Sequence, residues 1–400
     1  MAIDFSLVNL LENANINFGE RFLYSADAND PQLKRIDEEL EDLKRISDQG
    51  GVSVVLAHEG RFGKTKKLGF VADHISEKLG KEVLYCGENN TPGACNVVRY
   101  DLKPGDIIVM ENTRVHEGEE KNDPKLANLF ASLIGLNGKA VIGGFGKAHR
   151  ANASNVGILD YFPGYLAKSQ IVEMDKLSVW AGKSDRYSVA VLGGIKKEKI
   201  TDGLTGFVEN YDAVIAAGIA LNNIYKAMGY EVGSSIVEDG GKNYVEKVKK
   251  IMEKHPGKIL IPNTVIIAKK SGDTYEDAKK AEISEGVSPG YVIVDSVLPE
   301  TAINSLERTV SEQGRIVLAG TPGVYTSGFK ESTTPVVEYM NRNRENSLIL
   351  GGDSVSDIES GGLKYFGRSS TGGGSALHFL SNGTTPVFEA LKRNKEKYQI

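Results

Sequence analysis

Ser369-Ser370-Thr371-Gly372-Gly373-Gly374-Ser375-Ala376-Leu377 reads as a strand end, three glycines and the first turn of an apolar helix. Such a turn presents backbone N–H groups at the positive end of a helix dipole with no side chains in the way, a ready site for a phosphoryl group. A second glycine turn, Gly351-Gly352-Asp353-Ser354, follows the apolar strand Leu348-Ile349-Leu350 just upstream and adds a carboxylate able to hold a metal. Two phosphate-type turns of this kind predict a nucleotide site.

The same strand-then-helix unit repeats along the chain. Val52–Leu56, Val83–Tyr85, Ile107–Met110 and Ala140–Ile142 are the strands expected in the first half. Val189–Leu192, Ala213–Ala216, Ile259–Ile261, Val292–Val294, Ile316–Leu318 and Leu348–Leu350 are those expected in the second. Continuous apolar strands belong to parallel sheets covered on both faces. Amphipathic segments at Leu33–Ser47, Lys125–Ile134, Lys242–Lys254 and Pro299–Glu312 are the intervening helices. The fold class is therefore α/β, with doubly wound, Rossmann-like parallel sheets.

Strand ends carry Arg and His in the first half and glycine in the second. Ligands of open α/β sheets bind at the carboxyl ends of strands, so two domains with different ligands are expected. The first covers 1–165 with a returning C-terminal helix at about 386–400, the second covers 187–385, and the helix and linker of 166–186 form the hinge.

The chain has 400 residues, 40% hydrophobic and 25% charged, with a net charge of −5. These are the proportions of a globular protein, and nothing in them favours nucleic acid or an anionic membrane as partner. Its 45 glycines sit at strand ends rather than in repeats. Two cysteines, Cys86 and Cys95, make no disulfide framework and are read as two inert thiols, and no signal peptide or membrane span is legible. A cytoplasmic location is expected.

In the basic half the strand ends run Ala57-His58-Glu59-Gly60-Arg61, Glu111-Asn112-Thr113-Arg114 and Gly143-Gly144-Phe145-Gly146-Lys147-Ala148-His149-Arg150. The early segment Ser25-Ala26-Asp27-Ala28-Asn29-Asp30-Pro31 precedes Lys34-Arg35. A single Arg at a strand end is by default a solvated or ion-paired residue. Several Arg and His at equivalent strand ends of parallel strands instead collect at one edge, and Arg pairs bidentately with carboxylate and phosphate. A small acid bearing phosphate is the ligand this chemistry fits. His74, His116, His255 and His378 lack the setting and are read as structural or surface residues.

In the glycine half, Leu192-Gly193-Gly194-Ile195-Lys196-Lys197-Glu198-Lys199 places lysines at a helix start, where they oppose the dipole unless a phosphate sits there. A solvated basic first turn is the plainer alternative. The chain has no Gly-x-x-x-x-Gly-Lys-Ser/Thr and no Gly-x-Gly-x-x-Gly after its first strand, which excludes a Walker-type site and weighs against a dinucleotide enzyme.

Taken in order, these segments resemble the phosphoglycerate kinase family over nearly the whole chain. Asp27–Pro31 resembles its Asp-Phe-Asn-Val-Pro, and Ala57–Arg61 its Ser-His-Leu-Gly-Arg. Glu111–Arg114 resembles Glu-Asn-Val-Arg, followed by Glu119-Glu120-Lys121-Asn122-Asp123-Pro124 as in many members. Phe145–Ala151 resembles Phe-Gly-Thr-Ala-His-Arg-Ala. Leu192-Gly193-Gly194, Gly351–Ser354 and Ser370–Gly374 complete the set, and the compact loops and the tail Thr385–Leu391 look most like the archaeal branch.

The resemblance implies reversible transfer of the acyl phosphate of 1,3-bisphosphoglycerate to ADP with Mg²⁺, by a monomer whose hinge closes on two small-molecule substrates. Asp27, Asn29, His58, Arg61, Arg114, His149 and Arg150 would hold 3-phosphoglycerate. Arg35 would meet the transferring phosphoryl group. Gly193, Gly194, Lys196, Lys199, Gly218, Gly320, Gly323, Gly352 and Ser354 would line the nucleotide site, and Asp353 would ligate Mg²⁺. Lys199 and the Gly372, Gly373 and Gly374 amides would hold the group in flight.

Several positions depart from the family's pattern. Ser25 stands where an Arg is usual beside the Asp-x-Asn motif. Gly143-Gly144 replaces Asn-Asp-Ala before Phe145, Asn152 replaces a His, and the Lys196–Lys199 spacing is one residue short. The family's Asn-Gly-Pro-x-Gly-Val-Phe-Glu is here Ala319-Gly320-Thr321-Pro322-Gly323-Val324-Tyr325-Thr326, so a hydroxyl replaces a carboxylate that meets the ribose. Its triple glycine near adenine is Ala216-Ala217-Gly218. An active kinase, a paralogue with another nucleotide or acid, and a non-catalytic binding protein of the same fold are the readings carried forward.

Overall fold

A computed structural model describes residues 3–237 and 244–399. Lys242 and Asn243, expected to open a helix, lie outside the described residues; the helix is described over Tyr244–Lys254. The chain divides into two compact units. One comprises Ala2–Ser178 with Thr384–Ile400, the other Val179–Gly383. The chain passes between them at Ser178 and Val179 and returns after Gly383.

The first unit carries β1 (Arg21–Ser25), β2 (Val52–Leu56), β3 (Leu84–Cys86), β4 (Ile107–Met110), β5 (Lys139–Ile142) and β6 (Gly164–Leu166). They form one parallel sheet in the order β3-β4-β2-β1-β5-β6. Every residue of β2 and β4 is buried, as their unbroken apolar runs require for a sheet covered on both faces. The chain leaves β1 toward β2 but leaves β5 toward β6, so the strand order reverses between β1 and β5. That crevice is the ligand position of a doubly wound sheet.

The expected helix Leu33–Ser47 is two helices, Lys34–Asp37 and Leu40–Asp48. At the junction Glu39 is fully buried, its carboxylate accepting bonds from the Tyr24 hydroxyl at 2.6 Å, the Gly144 amide at 2.7 Å and the Ser169 hydroxyl at 3.0 Å. The C-terminal helix Pro386–Tyr398 is capped by the Thr385 hydroxyl, which accepts from the Phe388 amide. Asn394, buried on that helix, accepts from the Gly164 amide at 2.7 Å and donates to the Leu159 and Phe162 carbonyls.

The second unit carries β7 (Val189–Leu192), β8 (Ala213–Ala216), β9 (Ile259–Leu260), β10 (Thr264–Ser271), β11 (Thr274–Glu282), β12 (Tyr291–Ser296), β13 (Ile316–Ala319), β14 (Ser347–Leu350) and β15 (Arg368–Ser370). Six of these make a parallel sheet in the order β15-β14-β13-β7-β8-β9. Here the strand order reverses between β7 and β13. The stretch Val292–Val294 does not join this sheet as expected. It lies in β12 of a three-stranded antiparallel sheet, β11-β10-β12. The hairpin β10–β11 turns through Gly272-Asp273, with Gly272 at a φ of 60°, which is the chemistry of a two-residue hairpin loop. Its second strand is almost wholly exposed and polar, so it gives no apolar signal in sequence. No helix among the described residues is long and apolar enough to cross a membrane.

Asn394→Ala leaves the buried Gly164 amide without its acceptor and is expected to cost about 2 kcal/mol in urea denaturation. An unchanged midpoint contradicts this account of how the C-terminal helix is held.

Candidate functional site

At the end of β1 the chain turns through Asp27, which is 1% exposed. Its carboxylate pairs with the Arg35 guanidinium at 2.7 Å and accepts from the Asn29 amide at 3.0 Å. Asn29 in turn accepts from the Gly60 amide at 3.0 Å, tying the β1 turn to the loop after β2. Arg114, after β4, donates to the Gly60 carbonyl and pairs with Glu120 at 3.2 Å. Glu120 also pairs with Arg150 at 3.3 Å, whose Nε donates to His149 Nε2 at 3.1 Å. His58 Nε2 stands 3.6 Å from Asp27.

Asp27, Asn29, Arg35, His58, Arg114, His149 and Arg150 are thus brought together along the ends of four neighbouring strands. Arg61 is not drawn into these bonds. It is exposed on the loop Gly60–Lys64, where its backbone exchanges hydrogen bonds with Lys64.

Two further groups, which the sequence reading passed over, complete the cluster. Lys147 is buried and donates to the Ser25 hydroxyl at 2.7 Å. Glu119 accepts from Thr113 and Ser154. Lys147 is a lysine inside a short apolar turn, and Glu119 stands in a run of charge that reads as solvated; only the tertiary fold buries them.

Burial alone raises the Asp27 carboxyl, but His58, Arg35, the Asn29 amide and Lys147 outweigh it and hold the group below its ordinary value. Burial pushes the His58 imidazole down to about 3, against the pull of Asp27 and with help from Arg114, Lys147 and Arg150. His58 is therefore neutral at working pH, and its buried Nδ1 has no hydrogen-bond partner among the described residues. His74, His116, His255 and His378 lie elsewhere, against Asp37, Asn89, Glu209 and Asp202. The His58 ring protons are expected not to shift in NMR spectra between about pH 5 and 8; a titration near the ordinary histidine value contradicts this electrostatic picture.

In the second unit the glycine turns cluster at the β7/β13 reversal and beside it. The Gly193 amide donates to the Ala319 carbonyl at 3.1 Å, and the Gly194 amide to the Thr321 carbonyl at 3.0 Å, next to Gly320. Gly218 opens a helix whose Ile219 amide donates to the Gly194 carbonyl at 2.9 Å. A Cβ at Gly218 would lie 2.2 Å from that carbonyl oxygen, so only glycine lets the two turns touch. Gly323 is buried, with its amide donating to the Thr333 hydroxyl. This is a packing role, not an exposed lining.

Gly352, Asp353 and Ser354 form the first turn of the helix Gly352–Ser360, with Asp353 exposed. The helix Gly374–Asn382 begins alongside: a Cβ at Gly351 would lie 4.0 Å from the Gly373 Cα. Turn bonds use the amides of Gly372, Ser375 and Leu377. Among the described residues none uses those of Gly373 and Gly374, which leaves two donors at a helix N-terminus. Lys199 lies against Gly194, its Cε 3.9 Å from where a Cβ would be, while Lys196 is exposed. Burial of its ammonium and the nearby Lys196 push Lys199 down to about 7, against the pull of Glu198. Thr326 is exposed, and Ala319 is buried in β13.

Residues 18–383 match the family model described as phosphoglycerate kinase. The phosphoglycerate kinase of Thermosipho africanus is 31% identical over 398 residues, covering 94% of this chain and 96% of that protein. That of Mesomycoplasma hyopneumoniae is 32% identical over 375 residues, 88% of each chain. The solved phosphoglycerate kinase of Coxiella burnetii aligns with a TM-score of 0.70 at 25% identity, over 96% of this chain and 99% of its own. The Pyrococcus horikoshii enzyme shares the fold, with a TM-score of 0.73 at 23% identity over 97% of this chain and 100% of its own. Set beside the two strand-end clusters, these likenesses favour neither the altered-substrate nor the non-catalytic reading, and the chain belongs to the phosphoglycerate kinase family, glycolytic phosphotransferases whose acceptor is a carboxyl group.

Proposed function

We propose that this chain transfers the acyl phosphate of 1,3-bisphosphoglycerate to ADP, reversibly and with Mg²⁺, giving 3-phosphoglycerate and ATP. One observation carries the reading: both parallel sheets gather anion-binding groups at the carboxyl ends of their strands, Arg and His in one unit, glycine amides with Lys199 in the other. The first unit takes the acid and the second takes the nucleotide, with 166–186 as the hinge segment.

Asp27, Asn29, His58, Arg114, His149 and Arg150 hold the phosphate and carboxylate of 3-phosphoglycerate, and Arg61 swings in from its exposed loop. Arg114 and Arg150 already share Glu120, and a phosphate competes for both guanidinium groups with two charge-assisted bonds each. Arg35 in the first unit, and Lys199 and the Gly372–Gly374 turn in the second, are the donors offered to the phosphoryl group as charge spreads over its equatorial oxygens. That is where phosphoryl transfer gains most from fixed donors. Lys196 and the glycines 193, 194, 218, 320 and 352, with Ser354, frame the nucleotide.

The exposed Asp353 carboxylate fits Mg²⁺, which is bound with one or two carboxylates, substrate phosphates and water. When bound, the ion neutralises charge on the nucleotide phosphates. Thr326 offers the ribose a hydroxyl in place of the family's carboxylate, so nucleoside choice rests on fewer polar contacts here.

Arg35→Ala is expected to lower kcat by about a thousandfold with KM for 3-phosphoglycerate changed less than about threefold, in a coupled assay with ATP, GTP and CTP as donors. No turnover with any of them at millimolar substrate overturns the proposal. Phosphate beside Lys199 favours its charged form, so nucleotide binding at about pH 8, above that group's ligand-free value, takes up a proton. Calorimetry in two buffers of different ionisation heat reads the uptake, and Lys199→Met is expected to abolish it. Identical heats in both buffers contradict the role given to Lys199.

A further inference from the structure

Lys147 and Glu39 sit where this chain departs from its family's motifs, and the departures answer each other. Lys147 is 3% exposed, too buried to meet a ligand itself, and donates to the Ser25 hydroxyl at 2.7 Å. A buried ammonium is costly unless opposite charge surrounds it; Glu119 and Asp27 supply that charge, and so does Glu39 in its ionised form, burial pushing its carboxyl up to about 7. The family's motifs have Arg at the place of Ser25 and Thr at the place of Lys147. The cation has moved from the end of β1 to the turn after β5. Because β1 and β5 are neighbours, with Ser25 opposite Ile142, it returns to the same corner of the sheet.

The acid has moved too. Counting back from Phe145, the Asp of the family's Asn-Asp-Ala falls on Gly143. A Cβ at Gly143 would lie 2.2 Å from Glu39 Oε2. The space that a side chain at 143 would take is filled by a carboxylate arriving from the junction after Asp37. Three donors, from Tyr24, Gly144 and Ser169, hold it there.

We propose that Lys147 and Glu39 are a transposed charge set that replaces the Arg and Asp of the family's motifs, and that Lys147 is a positioning residue holding Asp27 in place for the acid substrate. Without Lys147 the buried Asp27 carboxylate loses a counter-charge. The carboxylate then meets its own desolvation with fewer partners and is no longer fixed where the acid substrate is proposed to bind. The positioning role rests on the proposed function; the transposition does not.

The test compares the full chain with Lys147→Thr and with Ser25→Arg/Lys147→Thr. Lys147→Thr is expected to lower the ligand-free melting temperature and to raise KM for 3-phosphoglycerate about tenfold, with KM for ATP within about twofold. The double variant is expected to recover both. A double variant no better than the single one overturns the transposition. A lowered melting temperature with KM for 3-phosphoglycerate unchanged overturns the positioning role. If Lys147→Thr does not fold, a folded double variant supports the transposition and an unfolded one overturns it. The melting arm is read without substrate, so a parent chain that does not turn over counts against the proposed function alone.

Discussion

The Arg35–Asp27 ion pair at the end of β1 is the contact on which the first unit's site depends. It forms at 2.7 Å beside Gly146, where a Cβ would come 2.5 Å from Asp27 Oδ2 and 2.6 Å from Arg35 Nη1. The pair therefore requires a bare backbone at that position. A carboxylate 1% exposed would be unfavourable alone. Here it is the keystone of a chain of bonds from β1 through Asn29 to Gly60, then to Arg114, Glu120 and Arg150. Cations that would repel one another are thereby spaced by carboxylates.

The second unit, proposed to take the nucleotide, meets a different demand by a related route. Nucleotide phosphates need donors that approach closely, and backbone amides do so only where side chains are missing. Gly193, Gly194, Gly218 and Gly320 bring three strand-end loops into backbone contact. The helix at Gly374 adds amides that no turn bond among the described residues consumes. Lys199 lies against Gly194 in this frame, where burial and the nearby Lys196 push its ammonium down to about 7.

How much of this was legible in sequence follows from the physics of each signal. Strands such as Ile107–Met110 and Ile316–Ala319 are buried on both faces and read as unbroken apolar runs. The motifs at their ends stood out as candidates because ligands of open α/β sheets bind there. The edge strand Gly164–Leu166 is three residues long and left no trace. Thr274–Glu282 is exposed and charged, so its strand was hidden, although Gly272-Asp273 between Thr264–Ser271 and it was an available hairpin signal. Glu39 and Lys147 look like surface charges in one dimension; a break between two helices and a turn after β5 carry them inside. Arg61 belongs to the same motif set as His58, yet it lies exposed while His58 is buried.

The central claim is that these two clusters move a phosphoryl group between a carboxylate and a nucleotide rather than merely bind both. Incubating the protein with Mg²⁺, γ-labelled ATP and 3-phosphoglycerate, then trapping with hydroxylamine, tests it most directly. The account predicts labelled phosphate released only on hydroxylamine treatment, together with the hydroxamate of 3-phosphoglycerate, because the label resides in an acyl phosphate. Label that stays in ATP, or free phosphate formed without hydroxylamine and without any hydroxamate, would contradict it.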